Sequence, residues 1–210
     1  MSRKANHLQE DIGNDPRRLG KVTASRAHDV MARIKTGYAS GRHKLMKELV
    51  AQRLTGRAKV TAQSPAMKRG NDLEPLAKEA YEVKTGHFVT DPDFTEHAQI
   101  NGFGASPDGI VETAEQILIE IKCMEDDAHM DFLLTERIPL RYQRQMMAQC
   151  ACTGAKEVDF VAYHPDFPDG NRLMIKRFVP TADQIQKLEQ EVILFLEEAE
   201  NMEINLRNRK

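Results

Sequence analysis

One short segment constrains this chain more than any other, Gln116–Lys122, which reads Gln-Ile-Leu-Ile-Glu-Ile-Lys. As a strand, its period of two sets Leu118, Glu120 and Lys122 on one face and Ile117, Ile119 and Ile121 on the other. A carboxylate and an ammonium therefore share a face at the end of an otherwise apolar strand. Burying such a pair beside a hydrophobic run is costly unless something compensates for the lost hydration. A divalent cation held by Glu120 and by Asp108, in the upstream Ser106-Pro-Asp108-Gly, would do so. Oxygen-only ligands suit Mg²⁺ or Mn²⁺, whose usual shell combines one or two carboxylates with substrate phosphate. Lys122, close to that cation, could orient or deprotonate a water. The competing reading is a salt-bridged strand end, since Glu-x-Lys occurs often in strands by chance.

The remainder of the chain supplies the setting. Thr23-Ala-Ser25 can cap a helix running to about Ile34, Lys35–Arg42 reads as a flexible loop, and Gly41 to Gly56 carries Leu45, Leu49 and Leu54 near helical spacing. A helix is expected from about Asp72 to Thr85, with Pro75 in its first turn and Glu74 near its start. The period then changes: His87–Thr90, Gln99–Gly102, Gly109–Glu112 and Gln116–Lys122 read as short strands, with Asn101-Gly102 and Asp108-Gly109 as turns. A helix opened by Pro139 and closed by Gly154 follows, then strands Glu157–Tyr163 and Arg172–Val179. The last element is a helix from the capping box Thr181-Ala-Asp-Gln184, with Ile185, Leu188, Val192, Phe195 and Ala199 on one face as a core stripe. This order predicts an α/β or α+β domain, a central mixed β-sheet flanked by helices.

A chain of 210 residues buries roughly 70% of its unfolded surface, so a sizeable core is available. Residues 1–16 read as a loose arm and 17–210 as a single domain, because no repeat, low-complexity tract or long linker interrupts them. The longest apolar run near the C-terminus, Val192-Ile-Leu-Phe-Leu196, is far short of a membrane span, and the first residues hold no apolar signal core. A cytoplasmic protein with no membrane partner is expected. Three cysteines, with only Cys150 and Cys152 close together, exclude a disulfide scaffold. The net charge of −2 hides a division: residues 1–70 hold 16 Lys/Arg against 5 Asp/Glu, and residues 71–210 hold 14 against 27. A basic segment joined to an acidic one suggests a polyanion surface beside carboxylates that could hold cations.

Pro107-Asp108 followed by Glu120-Ile121-Lys122 has the form of the PD-(D/E)xK nuclease signature, which carries a restriction-endonuclease-like core. Arg18-Leu-Gly-Lys-Val-Thr-Ala-Ser25, Gly70-Asn-Asp-Leu-Glu74, Ala105-Ser-Pro-Asp-Gly109, Glu120-Ile-Lys-Cys123, and Tyr142-x-x-Gln145 before Thr153-Gly154 stand in the order seen in the phage lambda exonuclease family of viral-type recombination nucleases. The chain resembles that family from about Arg17 to Gly154. Two departures stand out: Met124 follows Cys123 where the family often has Pro, and Met124–Ile138 lacks the family's patterns.

The resemblance implies a Mg²⁺-dependent 5′→3′ exonuclease that degrades linear double-stranded DNA from 5′-phosphorylated ends to mononucleotides. It would leave 3′ single-stranded overhangs for recombination, form a ring-shaped homotrimer, work beside a single-strand annealing protein, and belong to a phage or prophage in a bacterial host. Its mechanism would have Asp108 bridge two metal ions roughly 3.5–4 Å apart, with Glu120 and the Ile121 carbonyl completing the first site. Lys122 would orient or deprotonate the attacking water, the latter needing its pKa lowered by burial and by the metals. Glu74 would hold Lys122 or a metal-bound water. Gln145 would position water or phosphate from the helical face it shares with Tyr142 and Gln149, residues otherwise read as a solvated stripe. Arg18 and Ser25 match positions of a 5′-phosphate pocket, and Ser106, two residues before Asp108, could donate to the same oxygens, a guanidinium fork with two hydroxyls being suited to a phosphate dianion. Met67 falls where the family presents an apolar wedge, with a core methionine as the other reading. Arg42, Lys44, Lys47, Arg53, Arg57, Lys59, Lys68 and Arg69 would bind backbone phosphates without reading sequence.

Other chemistries lack their residues. No histidine stands in HExxH, no Gly-rich loop has phosphate-cradle spacing, and no GxSxG marks a serine nucleophile. His129 and His164 read as surface residues. Two rivals stay open: a PD-(D/E)xK restriction or repair endonuclease, which would cut closed circles, and a non-catalytic DNA-binding module with a structural acidic cluster.

Overall fold

The computed structural model describes residues 15–58, 63–113 and 115–209. Most of the expected arm, 1–14, and Lys59 lie outside them. The chain opens with a 3₁₀ turn, Pro16–Arg18, then β1 (Val22–Thr23), a second 3₁₀ turn, Ala24–Arg26, and α1 (Ala27–Met31). Next come β2 (Arg33–Ile34), β3 (Gly37–Tyr38), α2 (Ser40–Thr55) and α3 (Pro65–Thr85). Short strands β4 (Thr95–Glu96), β5 (Phe103–Ala105) and β6 (Gly109–Val111) lead into β7 (Ile117–Lys122). Then follow α4 (Asp126–Thr135), α5 (Leu140–Thr153), β8 (Glu157–Tyr163), α6 (Asp169–Arg172), β9 (Leu173–Phe178) and α7 (Ala182–Arg207).

The main sheet has the order β6-β7-β8-β9. Only β7 and β8 run parallel, so the sheet is mixed, as expected. A smaller sheet, β1-β5-β4, carries the segment just before Asp108. The alternation along β7 holds: Ile117, Ile119 and Ile121 pack with Ala77 and Tyr81 of α3, while Leu118 packs on the opposite face with Met146 and Cys150 of α5. The third cluster joins α1, α2, α5 and α7 through Leu45, Leu49, Met147, Leu188, Val192 and Phe195. The C-terminal stripe is therefore core: Leu188, Val192, Phe195 and Ala199 are fully buried, and burial of a large apolar side chain contributes about 1.5–3 kcal/mol. Its capping box forms on both sides, between Thr181 and Gln184.

Several boundaries differ from the sequence expectation. The helix expected over Thr23–Ile34 shrinks to α1, because Thr23 is drawn into β1 against Phe103 and Gly104, and Arg33–Tyr38 turns back as a hairpin on Gly37, which has φ +131°. The loop expected over Lys35–Arg42 is largely that hairpin and the start of α2. Gln99–Gly102 forms a turn on Gly102, φ +83°, and the strand lies one step later in β5. Of His87–Thr90, only Thr90 bridges to Ile110. Asp108-Gly109 is no turn: Gly109 opens β6, where a Cβ would lie 2.4 Å from Val89 Cγ1.

The largest shift concerns α3. It begins at Pro65, with the Ser64 side chain accepting from the Met67 N–H, so Glu74 and Pro75 fall in the helix interior and not in the first turn. Pro75 has no N–H for the carbonyl of Asn71, a loss tolerated where Asn71 and Glu74 border an open cleft that water can reach.

Candidate active site

Strand β7 runs through the centre of the sheet, and its C-terminal end meets the residue that precedes β6. The Asp108 N–H donates to the Ile119 carbonyl at 3.0 Å, and the Ile121 N–H donates to Asp108 Oδ2 at 2.7 Å. Asp108 is thereby held against β7 at the level of Glu120 and Lys122. Glu120 is fully buried and forms an ion pair through Oε1 with the Lys122 ammonium. That ammonium also donates to the Ile121 carbonyl at 2.9 Å and stands 3.9 Å from Asp108 Oδ2. Three oxygens, from Asp108, Glu120 and Ile121, thus surround one cationic atom.

This set fits a divalent cation. It offers two carboxylates and a carbonyl, all hard oxygen donors, and leaves the rest of a shell to water and phosphate. Among the described residues, no group of three His, Cys, Asp or Glu side chains stands together as a ready-made cage.

Burial dominates the electrostatics. It pushes the Glu120 carboxyl up to about 7, reinforced by the charge of Asp108 and opposed by Lys122 and Gln149. For Lys122, burial pulls downward, but Glu120 and Asp108 outweigh it and hold the ammonium above its ordinary value. Lys122 therefore stands as an ammonium against both carboxylates.

Asp108, Ile121 and Lys122 floor a cleft of about 530 Å³ whose other wall is the first half of α3, with Glu120 fully buried behind them. Glu74 lines it, its carboxyl raised by burial and by Asp108, but it pairs with Lys78 at 3.1 Å, one turn along, rather than with Lys122. Met67 lines the cleft and is 54% exposed, which removes the core reading of that methionine. Tyr142 lines it as well, its ring 5.4 Å from Lys122 Nζ and its hydroxyl accepting from Arg141 at 2.6 Å. Gln145 is half-buried on the same helix, outside the cleft lining, and its side chain makes no hydrogen bond with a described residue.

A neighbouring cavity of about 420 Å³ gathers Arg18, Lys21, Thr23, Ser25 and Arg26. Arg18 Nη1 donates to Ser106 Oγ at 2.9 Å, which ties this cavity to the segment carrying Asp108. Among the described residues Arg18 pairs with no carboxylate, and Ser25 Oγ lies 3.2 Å from Thr23 Oγ1. The structure therefore brings Arg18, Ser25 and Ser106 into one region.

Other expectations need correction. Arg42 is 4% exposed, bonded through both terminal nitrogens to Glu198 and stacked on Tyr38, so it faces α7 and not a phosphate. Arg53 donates to the Gly20 carbonyl, and Arg69 to the carbonyls of Cys123 and Met124. Lys44, Lys47, Arg57 and Lys68 stay exposed. His129 and His164 are buried: they pack around Phe167, and His164 Nε2 lies 2.9 Å from Asp126 and 3.0 Å from Arg69. Gln149, read as solvated, is fully buried and donates to Glu120 Oε2 at 2.5 Å. Its spacing from Tyr142 and Gln145 was the visible signal. Arg141 and Asn71, also at the cleft, carried none.

A model of the YqaJ-like viral recombinase domain matches residues 15–156. Among solved structures, the alkaline exonuclease LHK-Exo from Laribacter hongkongensis is 40% identical over 95% of this chain and 96% of that one, with a TM-score of 0.84. The structure of LHK-Exo in complex with dAMP gives the same identity and coverage with a TM-score of 0.86. A phage related exonuclease from Haemophilus somnus 129PT, 15% identical over 89% of this chain and 96% of that one, has a TM-score of 0.66 and shares the fold. No curated protein matches the chain.

Proposed function

The chain belongs to the YqaJ-like viral recombinase family of nucleases, and on that premise we propose that it is a Mg²⁺-dependent 5′→3′ exonuclease of linear double-stranded DNA. The observation that carries this reading is the convergence of Asp108 Oδ2, Glu120 Oε1 and the Ile121 carbonyl on one cationic atom at the floor of the cleft. These groups would hold the Mg²⁺, one ion or two with Asp108 shared, and Mn²⁺ would substitute. The chemistry the bound metal supplies is Lewis-acid stabilisation of charge at the scissile phosphate.

The chain's own residues do the rest. Lys122, kept protonated by its carboxylate neighbours, neutralises phosphate charge and orients the attacking water. Glu74, oriented by Lys78 at the opposite wall, would hold a water in the cleft. Arg18, Ser106 and Ser25 hold the 5′-phosphate, Met67 presses on the terminal base pair, Tyr142 borders the path of the cleaved strand, and Gln145 positions water or phosphate from the same helix. Lys44, Lys47, Arg57 and Lys68 take the duplex backbone. The ring-shaped trimer, the annealing partner and the release of mononucleotides come with the family resemblance.

The test is digestion of one linear duplex labelled separately at each end, carrying 5′-phosphate or 5′-hydroxyl termini, with and without Mg²⁺, beside the same DNA as a closed circle. The proposal expects Mg²⁺-dependent mononucleotide release from 5′-phosphorylated ends with circles intact. Cut circles would make the protein an endonuclease. DNA binding without cleavage would make the carboxylates structural.

A further inference from the structure

Gln149 and Glu120 are both fully buried, one on α5 and the other on β7, and the amide nitrogen of the first lies 2.5 Å from Oε2 of the second. In the ionised form that a cation requires, Glu120 only accepts, so the amide presents its N–H side, which leaves Gln149 Oε1 facing inward. That oxygen is buried with no hydrogen-bond partner. An apolar side chain of the same length would fill this space and remove the unpaired Oε1, but it would leave the buried Glu120 Oε2 without its donor, so the amide is there for the carboxylate and not for packing. Glu120 Oε1, by contrast, meets only the Lys122 ammonium, at the cation position. The amide thus takes one carboxylate oxygen and leaves the other for a cation. Its backbone is firmly seated: Met146 and Cys150 pack toward the sheet, Met147 and Ala148 into the helical core, and Thr153 Oγ1 donates to the Gln149 carbonyl at 2.8 Å.

We propose that Gln149 is a positioning residue for divalent-cation binding, its N–H holding Glu120 Oε2 so that Oε1 stays turned toward the position now taken by Lys122 Nζ. The proposal rests on reading Asp108, Glu120 and the Ile121 carbonyl as the cation-holding set. Groups that orient metal ligands in this way typically change metal affinity by about 10–100-fold when removed.

The test is Mn²⁺ titration of the full chain without DNA, followed by calorimetry, for the parent, Gln149→Met, Glu120→Gln and the double variant, with thermal melts of each. Gln149→Met should weaken Mn²⁺ binding by about 10–100-fold. The double variant should bind no more weakly than Glu120→Gln alone, because Gln149 acts only through Glu120. Duplex binding in EDTA should be unchanged. Parent-like Mn²⁺ affinity in a folded Gln149→Met, or additive losses in the double variant, would overturn the proposal. If Gln149→Met does not fold, Gln149→Asn, whose amide is one methylene short, carries the same expectation and the same refutation. Parent-like affinity in Glu120→Gln would instead bring down the cation site itself.

Discussion

Ile121 and Asp108 are joined by a 2.7 Å hydrogen bond in which the Ile121 backbone N–H donates to Asp108 Oδ2, while the Ile121 carbonyl accepts the Lys122 ammonium at 2.9 Å. The Ile121 side chain meanwhile lies in the cluster built on Tyr81, 5% exposed. Core packing on one face of β7 therefore sets the backbone polar groups that face the cleft on its edge. The site inherits the rigidity of the sheet.

This linkage separates two roles of Asp108. Asp108→Asn keeps an oxygen for the Ile121 N–H but loses the charge, so cleavage should fall about 100-fold or more while the melting temperature barely moves. Asp108→Ala also leaves the buried N–H unpaired and should cost a further ~1–3 kcal/mol of stability. Rates and melts on both variants check it; parent-like cleavage in Asp108→Asn would refute the assignment.

Glu120 predicts a pH dependence. Its carboxyl is raised in the folded state to about 7, from an ordinary value near 4.5, chiefly by burial. A group raised on folding adds stability that is fully present below its unfolded value and is lost as pH rises through the folded one. In EDTA, the parent should therefore lose stability relative to Glu120→Gln between about pH 4.5 and 7, and the difference should then level off. Metal needs the ionised form, so Mn²⁺ affinity should climb across the upper part of the same window. Melts and titrations at a series of pH values would reveal a flat difference if the carboxyl is not raised.

Much of this site was legible because it depends on strand periodicity. Alternation alone put Glu120 and Lys122 on one face, and β7 keeps that division down to the residues packed on each side. Pro139 and Gly154 bounded α5, and the capping box at Thr181 placed α7, because caps are local chemistry. What escaped was set by tertiary contact. Pro75 argued for a late helix start, yet Ser64 caps α3 much earlier and the open cleft tolerates the proline. Gln149 looked solvated until Glu120 arrived from β7 beneath it, and two histidines without motif spacing are buried around Phe167. Arg42 is the same case: an arginine in a basic stretch reads as surface, and only the fold brings Tyr38, Phe195 and Glu198 around it.

Arg18 predicts end selectivity. Its guanidinium is half-buried, hydrogen-bonded to Ser106, and paired with no carboxylate among the described residues, which leaves it available to an anion. A hydrogen bond to a charged group is worth about 1.5–3 kcal/mol, so Arg18→Ala should slow digestion of 5′-phosphorylated ends about 10–100-fold. Digestion of 5′-hydroxyl ends should change little. Equal losses on both substrates would remove Arg18 from phosphate recognition.

Arg42 gives the converse prediction, a basic residue whose loss spares DNA binding. Its guanidinium lies 3.9 Å from the Tyr38 ring centroid and 5.1 Å from that of Phe195, and it ties α2 to α7 through Glu198. Glu198 is half-exposed, so the ion pair adds little by itself, and most of the cost of Arg42→Met should come from lost stacking, about 1–2 kcal/mol. Glu198→Ala has the opposite logic, because it strands a buried cation, and should destabilise at least as much although it removes the more exposed partner. Neither change touches a phosphate contact. The slope of log affinity against log salt should therefore match the parent for Arg42→Met and shrink by about 0.9 for Lys47→Met if that lysine meets one duplex phosphate. A reduced slope in Arg42→Met at unchanged stability would return Arg42 to the DNA surface.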